Sequence, residues 1–122
     1  MKKIEAVIRP DRLQAVQDAL DTLGTSGLTV SEVLGCGRQR GYTETYRGAR
    51  ANISLQRKIK VEAVVADAST DAVVQAIEGA ARTGEVGDGK IFVSAVEDAV
   101  RIRTGERGEE IVRHLQPEHW GH

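Results

Sequence analysis

A glycine-rich segment between residues 83 and 90 contains the residue types that hold phosphate groups. It reads TGEVGDGK, so its three glycines leave backbone N–H groups open to an anion, and its lysine adds a positive charge. Arg101 and Arg103 follow further along the chain. In an extended segment these two side chains would point to the same side and could meet on one anion. The pattern predicts a site for a polyphosphate, and therefore for a nucleotide.

The same segment leaves two alternatives to a nucleotide site of this kind. Gly84, Gly89 and Lys90 match the beginning of a P-loop, but Ile91 stands where Ser or Thr would ligate magnesium. The segment also follows a predicted helix and leads into a predicted strand, the reverse of the P-loop order. Both points argue against a P-loop ATPase. The other alternative is a glycine-rich turn that binds nothing.

The composition limits the kind of protein this can be. A chain of 122 residues has room for one hydrophobic core, and its formal net charge of −1 provides no overall field to attract nucleic acid. Cys36 is the single cysteine, so no intramolecular disulfide can form, which favours the reducing cytoplasm. No apolar run approaches the roughly 20 residues of a membrane-spanning helix, so we expect no membrane insertion.

The hydrophobic pattern predicts four strands and two helices. Strands are indicated over residues 4–8, 28–34, 58–65 and 91–96, and helices over residues 10–24 and 69–83. The order β-α-β-β-α-β predicts an α+β fold, a ferredoxin-like βαββαβ sandwich whose helices cover one face of an antiparallel sheet. The other face stays bare, with Val7 and Val64 among charged residues, and this predicts a homo-oligomer.

The long connection between the second and third strands, residues 37–52, has neither a helical nor a strand period. Loops longer than about 12–15 residues inside a compact domain are usually functional or disordered. The segment contains four arginines and two tyrosines. This composition favours a recognition loop over a flexible insertion.

Short motifs throughout the chain resemble one family. They are MKKIEA at 1–6, GLTV at 27–30, GCGRQ at 35–39, YRG at 46–48, KIKVE at 58–62, RTG at 82–84, GDGKIFV at 87–93 and RIRTGE at 101–106. Taken in this order over about residues 1–110, the set is similar to the PII nitrogen-regulatory signal proteins.

The resemblance implies a homotrimeric regulator of nitrogen metabolism rather than an enzyme. Such proteins bind ATP or ADP between subunits, respond to 2-oxoglutarate, and control target proteins through a long loop called the T-loop. By this resemblance residues 1–112 form the signalling domain, the T-loop covers about residues 37–55, and residues 113–122 are a C-terminal tail. The target is left open between an ammonium channel and a metabolic enzyme.

The resemblance also implies the site residues. Those expected to bind the nucleotide are Thr29, Gly37, Arg38, Glu62, Val64, Thr83, Gly87, Asp88, Gly89, Lys90, Arg101 and Arg103. Those expected to bind 2-oxoglutarate are Gly37, Gln39, Arg40, Gly41 and Lys58. Gln39 would also ligate Mg²⁺, an ion that prefers oxygen ligands. Those expected to contact the target are Tyr42, Tyr46, Arg47 and Arg50, and Arg47 matches the residue that plugs an ammonium channel in some relatives.

Five positions depart from the family pattern. The tyrosine that many relatives present for nucleotidylation falls at Ala51, and the serine that others phosphorylate falls at Ala49. We therefore expect no covalent modification at these positions. Glu85 replaces a frequent lysine and Asp11 a frequent aromatic residue, which puts contacts with kinase-type targets in doubt. Arg57 replaces a usual proline, which would loosen the end of the loop.

Three other classes of function are alternatives to a nitrogen regulator. A PII-like adenylate sensor for another anion, such as bicarbonate, is favoured by the unusual T-loop and opposed by Gln39 and Lys58. A phosphotransferase lacks an internal histidine, since all three histidines lie at 114–122, where their spacing also fits no standard metal site. An RNA-binding sheet would need aromatic residues for stacking, but only Phe92 lies in a predicted strand.

Overall fold

The computed structural model describes residues 1–25, 27–35 and 55–112. Its strands are β1 (Lys2–Ile8), β2 (Thr29–Gly35), β3 (Gln56–Val65) and β4 (Gly89–Ala95), and its α-helices are α1 (Leu13–Thr22) and α2 (Thr70–Ala81). Short 3-10 turns precede both helices, and another spans Glu109–Val112. The predicted order of six elements is confirmed, with boundaries that differ by a few residues.

The four strands form one antiparallel sheet in the order β2-β3-β1-β4. The two strands that α1 connects, β1 and β2, are not adjacent in the sheet, and neither are β3 and β4, which α2 connects. This arrangement is the one that the ferredoxin-like fold requires. The two central strands bring Glu5 opposite Glu62, and Phe92 on β4 lies on the other side of Glu5. This register places the ends of β1, β3 and β4 side by side.

Both helices pack on one face of the sheet, and alternation along the strands decides which side chains they cover. The buried residues are Ile4, Ala6, Ile8, Val16, Leu20, Ile59, Val61, Ala63, Val65, Val73, Ile77 and Ala81. This set confirms the predicted inward faces of β1 and β3. The opposite face carries Val7, Lys58, Lys60, Glu62 and Val64, none of which is fully buried. The bare face predicted from the sequence is therefore present in the single chain.

Candidate functional site

The loop between α2 and β4 folds around a single carboxylate, that of Asp88. One oxygen, Oδ2, accepts hydrogen bonds from the backbone N–H groups of Thr83 at 2.7 Å and Gly84 at 2.8 Å. The other, Oδ1, accepts from Arg9 Nε at 2.9 Å and from the Thr83 hydroxyl. These bonds hold the pKa of Asp88 far below its usual range, with the Thr83 hydroxyl and Arg9 as the largest causes. The carboxylate is thus charged and turned toward its own loop.

Two cations from the sheet hold the same loop from outside. Arg9, just after β1, donates from Nη2 to the carbonyl oxygen of Val86 at 2.7 Å. Lys58, near the start of β3, donates from Nζ to the carbonyl oxygen of Gly87 at 2.7 Å. Two successive carbonyls are therefore bound to positive charges, and the loop backbone is fixed against the bare face of the sheet.

The glycines of this loop have structural reasons to be glycine. Gly87 and Gly89 have φ of 99° and 109°, a region that side chains strongly disfavour. At Gly89 a Cβ atom would lie 1.8 Å from the carbonyl oxygen of Val7, because β4 begins there in register with Ile8 of β1. At Gly87 the nearest atom to such a Cβ would be Arg9 Nη2 at 3.5 Å. Gly89 is needed for the sheet, whatever it does for a ligand.

A cavity of about 290 Å³ lies on the bare face of the sheet beside this loop. Its lining consists of Val7, Gly35, Gln56, Lys58, Gly89, Lys90 and Phe92. Gly35 ends β2 and Gln56 begins β3, so the cavity opens at the base of the connection predicted to be the T-loop. Two lysines, bare glycine backbone and one aromatic ring together suit a ligand with anionic groups.

A second cavity, of about 380 Å³, lies on the helix side of the same strand ends. Its lining combines apolar and charged residues: Ile8, Val74, Ala81 and Ile91 with Glu78, Arg82, Asp88 and Lys90, besides Gly89. Glu78 and Arg82 form an ion pair with each other. The smaller cavity on the bare face is the better candidate for an anion, because two lysines and no carboxylate of the described residues line it, whereas Glu78 and Asp88 line the larger cavity.

Three residues predicted to bind the nucleotide lie together further along the bare face: Thr29, Glu62 and Val64. Thr29 is directly opposite Glu62 across β2 and β3, and Val64 is opposite Lys3 across β3 and β1. Lys3 Nζ lies 3.0 Å from a carboxylate oxygen of Glu62. The hydrogen bond from Lys3 lowers the pKa of Glu62, so this side chain is a charged acceptor at neutral pH.

The extended conformation predicted around Arg101 and Arg103 is wrong. Residues 102–104 form a turn, closed by the N–H of Gly105 donating to the carbonyl of Arg101 at 2.7 Å. The positive φ of Gly105, 78°, allows this closure. Arg101 Nη1 lies 2.7 Å from Glu106 Oε1. The two arginines therefore do not alternate along a strand, and neither belongs to the described lining of the bare-face cavity.

Ile102, at the tip of that turn, is 97% exposed. A single bridge between Val100 and Arg107 forms the base of the hairpin that carries the turn. The hairpin thus exposes Ile102 and Arg103 to solvent, whereas the guanidinium of Arg101 contacts Glu106 and the carbonyl oxygen of Ile111.

Several predicted site residues lie outside the described part of the chain. They are Gly37, Arg38, Gln39, Arg40, Gly41, Tyr42, Tyr46, Arg47 and Arg50. Ala49, Ala51 and the tail 113–122 also lie outside it. Their assignments stay predictions.

Arg9 was missed by the sequence analysis, and it is the residue that joins Asp88 to the sheet. Nothing in the local pattern distinguishes it from a solvated arginine at a strand end. The only signal was its place directly after the strand and before Pro10. The sequence separation of 79 residues between the two partners leaves no spacing rule to find them.

Two further features are absent from the described residues. No group of three or more His, Cys, Asp or Glu side chains is arranged to hold a metal ion there. No helix in that part of the chain is long and apolar enough to cross a membrane.

The charge state of Asp88 gives a prediction for pH dependence. The pKa of Asp88 is lower in the folded protein than in the unfolded chain, so its ionisation stabilises the fold. This stabilisation is fully present above the ordinary aspartate pKa of about 3.9 and is lost as the pH falls through the lower folded value. We expect the Asp88 carboxyl carbon to keep its ionised chemical shift below about pH 3 in an NMR titration. A midpoint near 4 would contradict the hydrogen-bonding pattern described above.

Comparison with known proteins places the chain in a family. The family model described as Nitrogen regulatory protein P-II matches residues 1–106. A protein of that name from Rhizobium meliloti (strain 1021) is 56% identical over 108 residues, 88% of this chain and 96% of the relative. Another from Microchaete diplosiphon is 57% identical over 112 residues, 92% of this chain and all of the relative. One from Cereibacter sphaeroides is 54% identical over the same length and coverage.

These matches define the class as regulatory signal-transduction proteins rather than enzymes. The chain belongs to the P-II family of nitrogen regulatory proteins. Members of this family respond to small effectors and act on target proteins. The resemblance noted in the sequence is confirmed.

Proposed function

We propose that this protein is a homotrimeric sensor that binds ATP or ADP and 2-oxoglutarate and controls a target protein through its T-loop. The observation that carries the proposal is the bare-face cavity, where Lys58 and Lys90 lie beside the backbone of Gly89 at the base of that loop. An anion bound there would be next to the segment that signals. The family supports regulation by small effectors, and the cavity suggests which chemistry they have.

The nucleotide phosphates would be held by Gly87, Gly89 and Lys90, with Thr83 and Asp88 in the same loop. Glycine backbone gives N–H donors at close range, and lysine supplies a point charge. The base and ribose would lie toward Thr29, Glu62 and Val64 on the same face. A carboxylate such as that of Glu62 is a suitable acceptor for an amino group or a sugar hydroxyl.

Arg101 and Arg103 would complete the phosphate site from the neighbouring subunit of the trimer. Their hairpin projects from its own chain, with Ile102 almost fully exposed. A projecting basic loop and a half-open anion cavity on the same molecule suit an arrangement in which each chain completes the site of the next. Light scattering at micromolar concentration should give the mass of three chains, and a monodisperse monomer would contradict this arrangement.

The 2-oxoglutarate site would use Lys58 for one carboxylate, with Gly37, Gln39, Arg40 and Gly41 at the start of the T-loop. Two observations support this role: Lys58 lines the bare-face cavity, and its ammonium group donates to the carbonyl oxygen of Gly87. When bound, Mg²⁺ would supply a positive centre that joins the ATP phosphates to the oxygens of the 2-oxoacid. Gln39 would add an amide oxygen to that set, and Arg38 a further charge near the phosphates.

Control of the target would follow from a difference in the affinity of the effector for the ATP and ADP complexes. An effector that binds better to the ATP complex than to the ADP complex shifts the protein between two T-loop states by that difference in affinity. Tyr42, Tyr46, Arg47 and Arg50 would then contact the target, either an ammonium channel or a metabolic enzyme. With Ala49 and Ala51 at the usual acceptor positions, control would come from ligands alone. A cytoplasmic location is part of this proposal.

Calorimetric titration of ATP and of GTP tests the nucleotide part of the proposal. We expect saturable binding of ATP with one site per chain and much weaker binding of GTP, whose base carries a carbonyl where adenine carries an amino group. Absence of ATP binding by the trimer would refute the proposal.

The second candidate is a PII-like adenylate sensor whose other ligand is a smaller anion such as bicarbonate. The sequence favours this candidate at two positions, because Ala49 and Ala51 replace the serine and tyrosine that relatives in nitrogen control carry for modification. Adding bicarbonate to the ATP-bound protein, in parallel with 2-oxoglutarate, separates the two candidates.

A further inference from the structure

We propose that Asp88 is a positioning residue for the phosphate site, which acts with Arg9 by holding the loop 83–89 in shape and does not itself contact the nucleotide. The inference rests on the proposed function and assigns two residues within it. The proposed function gives Arg9 no role, and Asp88 receives a role other than direct contact with the nucleotide. The class of ligand concerned is the polyphosphate of a nucleotide.

The Asp88 carboxylate has no free acceptor position. An ionised carboxylate accepts about four hydrogen bonds, two at each oxygen. Asp88 Oδ2 takes the N–H groups of Thr83 and Gly84, and Oδ1 takes Arg9 Nε and the Thr83 hydroxyl. The group has no proton to donate to a phosphate, and its acceptor positions are filled by its own loop.

The same contacts also fix the backbone that would meet the ligand. Asp88 binds the first part of the loop through Thr83 and Gly84, and Arg9 binds the second part through the carbonyl of Val86. Gly87 and Gly89 lie directly beyond, both with positive φ. Backbone donors that are fixed before binding stabilise an anion without the cost of being ordered by it.

Positioning and simple electrostatics predict opposite effects of neutralising Asp88 on the affinity for ATP. A negative side chain one residue away from Gly87 and Gly89 repels a polyphosphate, so its neutralisation should tighten binding if charge alone matters. If Asp88 holds the loop, its neutralisation should weaken binding instead. An amide at this position keeps one acceptor oxygen but turns an NH₂ group toward two of the four donors.

The test compares Asp88→Asn with the matched control Glu85→Gln, which removes one negative charge from the same loop. Glu85 uses its backbone N–H in a bond to the Thr83 hydroxyl oxygen, and no side-chain bond of Glu85 is seen within the described chain. The full-length trimer is titrated with ATP and, separately, with adenosine, which lacks phosphates. Amide hydrogen exchange at Thr83 and Gly84 is measured without any nucleotide.

We expect Asp88→Asn to weaken ATP binding about tenfold and adenosine binding less than about twofold. Exchange at Thr83 and Gly84 should accelerate about tenfold or more, with strand amides unchanged. Glu85→Gln should leave ATP binding equal or tighter. A loss of affinity for ATP but not for adenosine, together with faster exchange at Thr83 and Gly84 alone, distinguishes positioning from a general loss of stability.

Three results would overturn the inference. ATP binding that tightens in both variants would make Asp88 a charged neighbour only. Equal weakening toward ATP and adenosine would indicate a general structural role, and unchanged exchange at Thr83 and Gly84 would show that the carboxylate does not hold the loop. If the unmodified trimer binds no ATP, the proposed function fails together with the assignment of Asp88 to it. The exchange measurement still shows in that case whether the loop depends on Asp88, so the two failures are distinguishable.

Discussion

Gly89→Ala is expected to destabilise the fold by about 3 kcal/mol or more, a large part of the total stability of a domain. A methyl group at this position would lie 1.8 Å from the carbonyl oxygen of Val7, which belongs to the central strand and cannot move without breaking the β1–β4 pairing. The residue also has a φ of 109°, where an alanine is strained even with space around it. Urea unfolding at a fixed protein concentration measures the change.

Gly84→Ala is the matched control for this substitution. Gly84 has a similar φ of 89°, but a Cβ there meets nothing within 4 Å. We expect a cost of about 1 kcal/mol from the backbone conformation alone. If the free energies of unfolding of Gly89→Ala and Gly84→Ala agree within about 0.5 kcal/mol, the close approach of β4 to Val7 is not as described.

Lys58→Ala is expected to lower the affinity of the Mg-ATP complex for 2-oxoglutarate about thirtyfold. The ammonium group that would pair with a ligand carboxylate is removed, and charged hydrogen bonds of this kind are the strong ones. ATP binding itself should weaken less, because Lys58 contacts the loop 83–89 through the carbonyl oxygen of Gly87, at 2.7 Å. Calorimetry with each ligand in turn gives both values.

Lys60→Ala provides the control for charge. Lys60 lies on the same face of β3, and its Nζ is 3.5 Å from a carboxylate oxygen of Glu5 rather than at the cavity. Its removal lowers the positive charge of the face equally and should change the affinity for 2-oxoglutarate less than about threefold. Equal losses in the two variants would mean that the effect of Lys58 is one of general charge and not of contact.

The part of the fold that the sequence predicts well is the part decided by short-range periodicity. Alternation in β1 and β3 separated Ile59 and Val61, which are buried, from Lys58 and Lys60, which are not. The helix stripe at Val73 and Ile77 was equally informative, because a helix in this fold has only one sheet face to cover. The family resemblance then named the candidate site residues, and their roles stay predictions.

The errors and omissions concern contacts between distant segments and turns set by glycine. The turn at 102–104 was predicted as extended because alternation of Arg101 and Arg103 fits a strand, whereas the positive φ of Gly105 and the Arg101–Glu106 pair fold it back. The pair formed by Arg9 and Asp88 has no local signature. The need for Gly89 comes from a close approach to β1, which local sequence does not show.

The central claim is that the second effector binds through the ATP complex. It is tested most directly by titrating 2-oxoglutarate calorimetrically into the protein preloaded with Mg-ATP, with the Mg-ADP complex as the control. We expect saturable heat with Mg-ATP and none with Mg-ADP. Heat of equal size with both nucleotides, or no heat with either while the nucleotide remains bound, would contradict it.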